Sequence, residues 1–130
     1  MIIMEAEEMR RKPGPASWFS GDVQLEDLSP AGSAARVVRV AFAPGARTAW
    51  HTHPHGQLLL ISEGVARVQV SGEAKRDVPA GTTVWFPPGE RHWHGAAPGA
   101  RMVHVAIQQA DESGGTATWF EHVSGAEYGG

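Results

Sequence analysis

The apolar residues of this chain come in short runs, and turn residues cut off each run before a helix could form. The runs are Val37–Phe42, Leu58–Ile61, Val65–Val70, Thr83–Phe86 and Met102–Gln108, all rich in β-branched or aromatic residues. Between them stand Pro44-Gly45, Ser62-Glu63-Gly64, Ser71-Gly72, Pro79-Ala80-Gly81 and Pro87-Pro88-Gly89. Glycines at such points supply the positive φ that a chain reversal needs. No segment has a sustained helical period, so helix is expected at most at a terminus. Evenly spaced short strands joined by turns predict an all-β sandwich or barrel. With 130 residues the chain fits one domain. Residues 1–15 are polar and end in Pro-Gly-Pro, which predicts an N-terminal arm before a barrel at 16–130 with a short C-terminal tail.

Composition removes several function classes. A net charge of −3 provides no basic face for nucleic acid or an anionic membrane, so neither is expected as a partner. The absence of cysteine excludes disulfides and thiolate ligands, and any bound metal must use nitrogen or oxygen. The N-terminal residues lack the apolar stretch of a signal peptide, so a cytoplasmic location is expected.

Chemistry concentrates in two patches. In Trp50-His51-Thr52-His53 the histidines stand two apart, so on a strand both imidazoles leave the same face as a chelating pair. Gln57 shares their parity and brings a carbonyl oxygen within reach of a common ion. His92 follows the Pro87-Pro88-Gly89 corner. A site of three imidazoles and one amide with open positions suits several first-row metals. His94 has the parity of His92. His104 lies in an apolar strand, where an unpaired imidazole is costly, so it is either a satisfied core group or a neutral base beside the metal. Gln108 lies four residues further along the same face. Val40 and Phe42, on one face of their strand, and Trp50 are candidate pocket walls, with Trp85, Phe86 and Trp93 as further candidates.

The spacing is specific. Gly45, His51, His53, Gln57 and Gly64, followed by Gly81, Pro87, Gly89 and His92, resemble the two signature motifs of the cupin superfamily, at 45–64 and 81–96. Two positions depart from the pattern: Gln57 stands where a glutamate ligand is usual, and Ala96 where an asparagine closes the second motif. The resemblance implies a jelly-roll barrel, the fold class to which cupins belong. It also implies a metal held by His51, His53, Gln57 and His92, with Mn2+ favoured and Fe2+, Ni2+ or Zn2+ as alternatives. A narrower resemblance runs through 44–54, 84–98, the Gly14–Phe19 segment and the tail around Trp119 and Tyr128. It is to the bacterial manganese-dependent cupin hydroxynitrile lyases. It implies cleavage of a cyanohydrin into aldehyde and cyanide, with His104 as base and His94 and Gln108 close by. The rival expectations are an iron-dependent cupin dioxygenase and a non-catalytic cupin that binds a small ligand. Trp18, Phe19, Trp119 and Phe120, if exposed, would form an apolar patch, so a homodimer or homotetramer is expected.

Overall fold

The computed structural model describes residues 1–129. Thirteen strands follow in chain order: β1 (Lys12–Pro13), β2 (Phe19–Ser20), β3 (Val23–Asp27), β4 (Ala35–Phe42), β5 (Arg47–Thr48), β6 (His51–Thr52), β7 (Gln57–Glu63), β8 (Val65–Val70), β9 (Arg76–Pro79), β10 (Thr83–Phe86), β11 (His92–Ala96), β12 (Met102–Gln109) and β13 (Thr118–Trp119). The only helical segments among the described residues are one turn of 3-10 helix at Ala6–Glu8 and α1 at Gly125–Gly129. Each expected strand forms within one or two residues of its expected ends. The two-residue strands β1, β2, β5 and β13 and the longer β3 and β9 have no counterpart among the expected runs. β3 and β9 are both polar on one side, as strands at a solvated sheet face are. Of the expected arm, Lys12–Pro13 already pair with β3.

Two sheets face each other across the core. One runs β1-β3-β4-β12-β7-β10; the other runs β13-β6-β11-β5-β2, with β8 also paired to β11 and β9 to β8. All strand pairings are antiparallel, and strands distant in sequence lie side by side, as in a jelly roll. Alternation sends Val38, Val40 and Phe42 of β4, Leu59 and Ile61 of β7, and His104 and Ala106 of β12 into the space between the sheets. Phe42, Leu59, Met102 and Val40 form the main core with Phe19, Val23 and Phe86. A second cluster, Trp50, Trp93, Val123 and Tyr128, lies behind the other sheet, where the C-terminal residues cover it. Tyr128 pins this cover: its hydroxyl donates to the Ala96 carbonyl at 2.7 Å, with the Arg47 and Arg67 guanidinium groups against its ring.

Two glycines matter for the register of the site. Gly56 has φ +80° and lies against the Trp85 ring, letting the chain reverse between His53 and Gln57. Gly64, at φ +77°, turns β7 into β8, and a Cβ there would collide with the Arg101 carbonyl. Among the described residues no helix is long and apolar enough to cross a membrane.

Candidate metal centre

The three histidines of the two motifs converge because β6 and β11 are paired with His51 directly opposite His92. His53 follows His51 on the same face, and nitrogens of all three lie within 4.8 Å of one another. All three side chains are buried. Each ring is oriented from behind by a carbonyl. The Nδ1–H of His51 donates to Ala49 O at 2.8 Å, that of His53 to Thr116 O at 2.6 Å, and that of His92 to Glu90 O at 2.8 Å. Carbonyls accept only, so each Nδ1 carries the proton and each Nε2 is a bare lone pair.

Two of those lone pairs lack the donors that burial demands. His53 Nε2 has no hydrogen-bond partner. His92 Nε2 faces Gln57 Oε1 at 3.2 Å, while Gln57 Nε2 donates to Gln108 Oε1 at 3.0 Å. With Gln57 so oriented, two acceptors point at each other and share no proton. An orphaned buried acceptor costs about 1–3 kcal/mol, and a cation between them removes that cost. The donor set of three imidazole nitrogens and one amide oxygen therefore fits a first-row divalent ion held by His51, His53, His92 and Gln57.

Electrostatics favour the metal-binding protonation state. Burial first, then the His92 and His53 rings, push the His51 pKa well below the usual imidazole value. Burial lowers His53 and takes His92 down to about 3, although their carbonyl contacts act the other way. The rings are neutral at neutral pH, as ligation requires.

Beside the ligands lies a cavity of about 410 Å³. His51, His53, Gln57, His94, His104 and Gln108 line its polar end. Val38, Val40, Phe42 and Leu25 form one wall and Trp18 and Trp119 another. His104 Nε2 and His94 Nδ1 are 3.0 Å apart, while His104 Nδ1 and His94 Nε2 have no partner. Burial, then the neighbouring His104, lowers the His94 pKa well below its usual value, and burial takes His104 down to about 4.

The structure thus brings together His51, His53, Gln57, His92, His94, His104, Gln108, Val40 and Phe42. It does not bring Trp50 to the cavity. On a strand neighbours face opposite ways, so with His51 turned inward Trp50 is turned outward, into the cluster with Trp93. Trp93, between His92 and His94, is excluded for the same reason, and Trp85 is 55% exposed on the outer face. Of the tail and arm aromatics, Phe19 is buried, Trp18 and Trp119 stack on each other at the cavity wall with Trp18 still 39% exposed, and Phe120 is exposed without a place in the site. The sequence marks Trp18 and Trp119 only as members of an apolar patch, not of the site, and carries no sign of the Thr116 carbonyl. The likeness of the tail to one cupin group was the signal that pointed to Trp119.

The fold is a small β-barrel with a three-histidine group that could hold a metal ion, and residues 38–107 match the family model described as "Cupin domain". The chain belongs to the cupin family. It is 48% identical over 117 residues, 88% of each chain, to the (R)-mandelonitrile lyase of Granulicella tundricola. Among solved structures, a cupin-like protein of Thermotoga maritima is similar with a TM-score of 0.84 and 36% identity, covering 98% of this chain and 95% of the other. A predicted oxalate decarboxylase of the same organism shares the fold at TM-score 0.71 and 18% identity, over 82% of this chain and 96% of the other.

Proposed function

We propose that this chain is a metal-dependent hydroxynitrile lyase that splits cyanohydrins such as mandelonitrile into aldehyde and cyanide. The observation that carries this reading is the buried His94–His104 pair beside a three-histidine, one-amide ligand set. The 48% identity to an (R)-mandelonitrile lyase supports it, and the resemblance favours manganese as the ion.

The protons can be followed through the pair. Two neutral imidazoles carry two N–H protons on four nitrogens. One proton lies in the His94–His104 hydrogen bond, so of the two outer nitrogens one is a bare acceptor and the other an N–H donor. A bound divalent ion supplies Lewis-acid withdrawal of electron density from a substrate oxygen. Gln57, a neutral ligand where a carboxylate is usual, leaves that charge undiminished. The bare imidazole nitrogen takes the cyanohydrin hydroxyl proton. The C–CN bond breaks, its electron pair leaves on cyanide, and the hydroxyl-bearing carbon becomes the aldehyde carbonyl. The hydrogen bond spreads the new imidazolium charge over two rings until a proton passes to cyanide as HCN. Gln108, its Oε1 engaged by Gln57, keeps its amide N–H groups for the nitrile or the carbonyl. Phe42, Val40, Trp18 and Trp119 offer an apolar wall to an aryl group.

The test combines metal analysis of purified protein with mandelonitrile cleavage measured before and after a chelator, in air and under strict anaerobiosis. Chelator-sensitive cleavage that persists without oxygen supports the lyase. Activity that requires oxygen points to a dioxygenase instead, and a metal-loaded protein that binds aldehyde without turnover points to a non-catalytic cupin.

A further inference from the structure

The segment that follows β12 touches the chain around all three histidine ligands, although it lies outside the region matched by the family model. It begins with a self-stapled loop. Asp111 Oδ1 accepts from Ser113 N at 2.9 Å, Ser113 Oγ at 2.7 Å and Gly115 N at 2.8 Å, while Asp111 N donates to Gly115 O at 2.7 Å. The next carbonyl, Thr116 O, is the acceptor that orients His53. Trp119 then pairs with His51 across β13 and β6, and its indole stacks on the His51 ring at 4.5 Å and 28°. On its other side lies Trp18, at 5.1 Å and 8°. Phe120 N donates to Trp50 O and Trp50 N to Glu121 O, at 2.8 and 3.0 Å. The Glu121 carboxylate closes on Arg91, the residue before His92.

We propose that residues 111–121 form a clasp that holds the metal ligands in place, with Trp119 and the Asp111-stapled Thr116 carbonyl as positioning groups for His51 and His53. This rests on the reading of His51, His53, His92 and Gln57 as a metal site. A stacked indole fixes the tilt of the His51 ring without touching its nitrogens. The Thr116 carbonyl fixes both the tautomer and the direction of His53. Partners of this kind are worth roughly 10–100-fold in metal affinity. Since the clasp also forms part of the cavity wall, the ion's path to solvent lies beside it, and its docking sets the residence time of the ion.

The test uses the full chain loaded with Mn2+ and follows loss of the ion to excess chelator in wild type, Trp119→Ala, Trp119→Phe and Asp111→Ala, with the thermal midpoint of each metal-free protein alongside. The expected result is metal loss about 10–100-fold faster in Trp119→Ala, with Trp119→Phe restoring most of the difference. Asp111→Ala, whose side chain touches neither ion nor ligand, accelerates loss as well. If Trp119→Ala does not fold, Asp111→Ala and Trp119→Phe decide the matter. Unchanged metal loss in the folded variants overturns the clasp, as does a lowered thermal midpoint with wild-type metal loss. Failure of wild type to take up Mn2+ or any other divalent ion overturns the metal reading beneath it.

Discussion

His104 Nε2 lies 3.0 Å from His94 Nδ1, and both rings are sealed from solvent between the sheets. Neither residue belongs to the three-histidine group. Removing one leaves the other buried without its hydrogen-bond partner. His104→Ala should therefore keep the metal while kcat falls by about 100-fold or more, the scale of a lost general base. His94→Ala should fall by a similar factor, and the double variant should be little worse than either single one, because the two act as a unit. Metal content and single-turnover rates of the three proteins check this. Independent, multiplying losses would remove the pair from the mechanism.

Acid should destabilise the metal-free protein over a defined window. Burial holds the folded His104 at about 4 against an ordinary value near 6.5. Between those values the unfolded chain binds a proton that the folded chain refuses. Stability is thus full above about pH 6.5 and is lost as pH falls towards 4, by up to about 1.4 kcal/mol per pH unit from this group. His51, His53, His92 and His94 are shifted in the same direction and steepen the loss. Thermal melts of chelator-treated protein from pH 7.5 to 4.5 should show a monotonic fall. A flat profile would contradict the buried neutral state of these rings.

Gln57→Glu distinguishes holding the metal from using it. The carboxylate would face His92 Nε2 and add a charge to the ligand set, so the variant should retain the ion against chelator longer than wild type. The same charge offsets the cation and weakens its pull on substrate, so turnover should fall by about tenfold or more. His51→Ala and His92→Ala should instead lose the ion and the activity together. Equal turnover in Gln57→Glu and wild type would leave the neutral amide without a catalytic consequence.

The convergence of His51, His53, Gln57 and His92 as candidate ligands was legible in the sequence because spacing and parity are local properties. His51 and His53 leave one face of one strand, and a turn fixes His92 relative to Gly89. The pairing of His94 with His104 was only half legible. Parity turns each inward, but the 3.0 Å contact depends on how β11 and β12 cross the core. The candidacy of Trp50 failed on the same alternation that placed His51, since a neighbour of an inward residue points out. The Thr116 carbonyl and the Trp119 stack could not be read at all: a backbone acceptor has no sequence signature, and β13 is two residues long. The Thr116 contact reaches a histidine 63 positions earlier in the chain, so what the tail does is decided by tertiary packing, not by its own propensity.

Trp50 and Val40 flank the same centre from opposite sides, which gives a comparison that separates core from cavity. Val40 stands opposite His104 on β4, its side chain against the cavity. Val40→Phe should fill space needed by an aryl substrate and raise KM or abolish turnover of mandelonitrile, while a small aliphatic cyanohydrin suffers less. Overpacking should cost about 1–3 kcal/mol in stability. Trp50 packs with Trp93 and Tyr128 behind the sheet, under the Arg91 guanidinium at 4.5 Å, and touches no part of the cavity. Trp50→Phe should lower stability by about 0.5–3 kcal/mol yet leave KM and substrate preference unchanged in the folded, metal-loaded protein. Chemical denaturation and steady-state kinetics on both variants check the contrast. A changed substrate preference in Trp50→Phe would return that residue to the pocket.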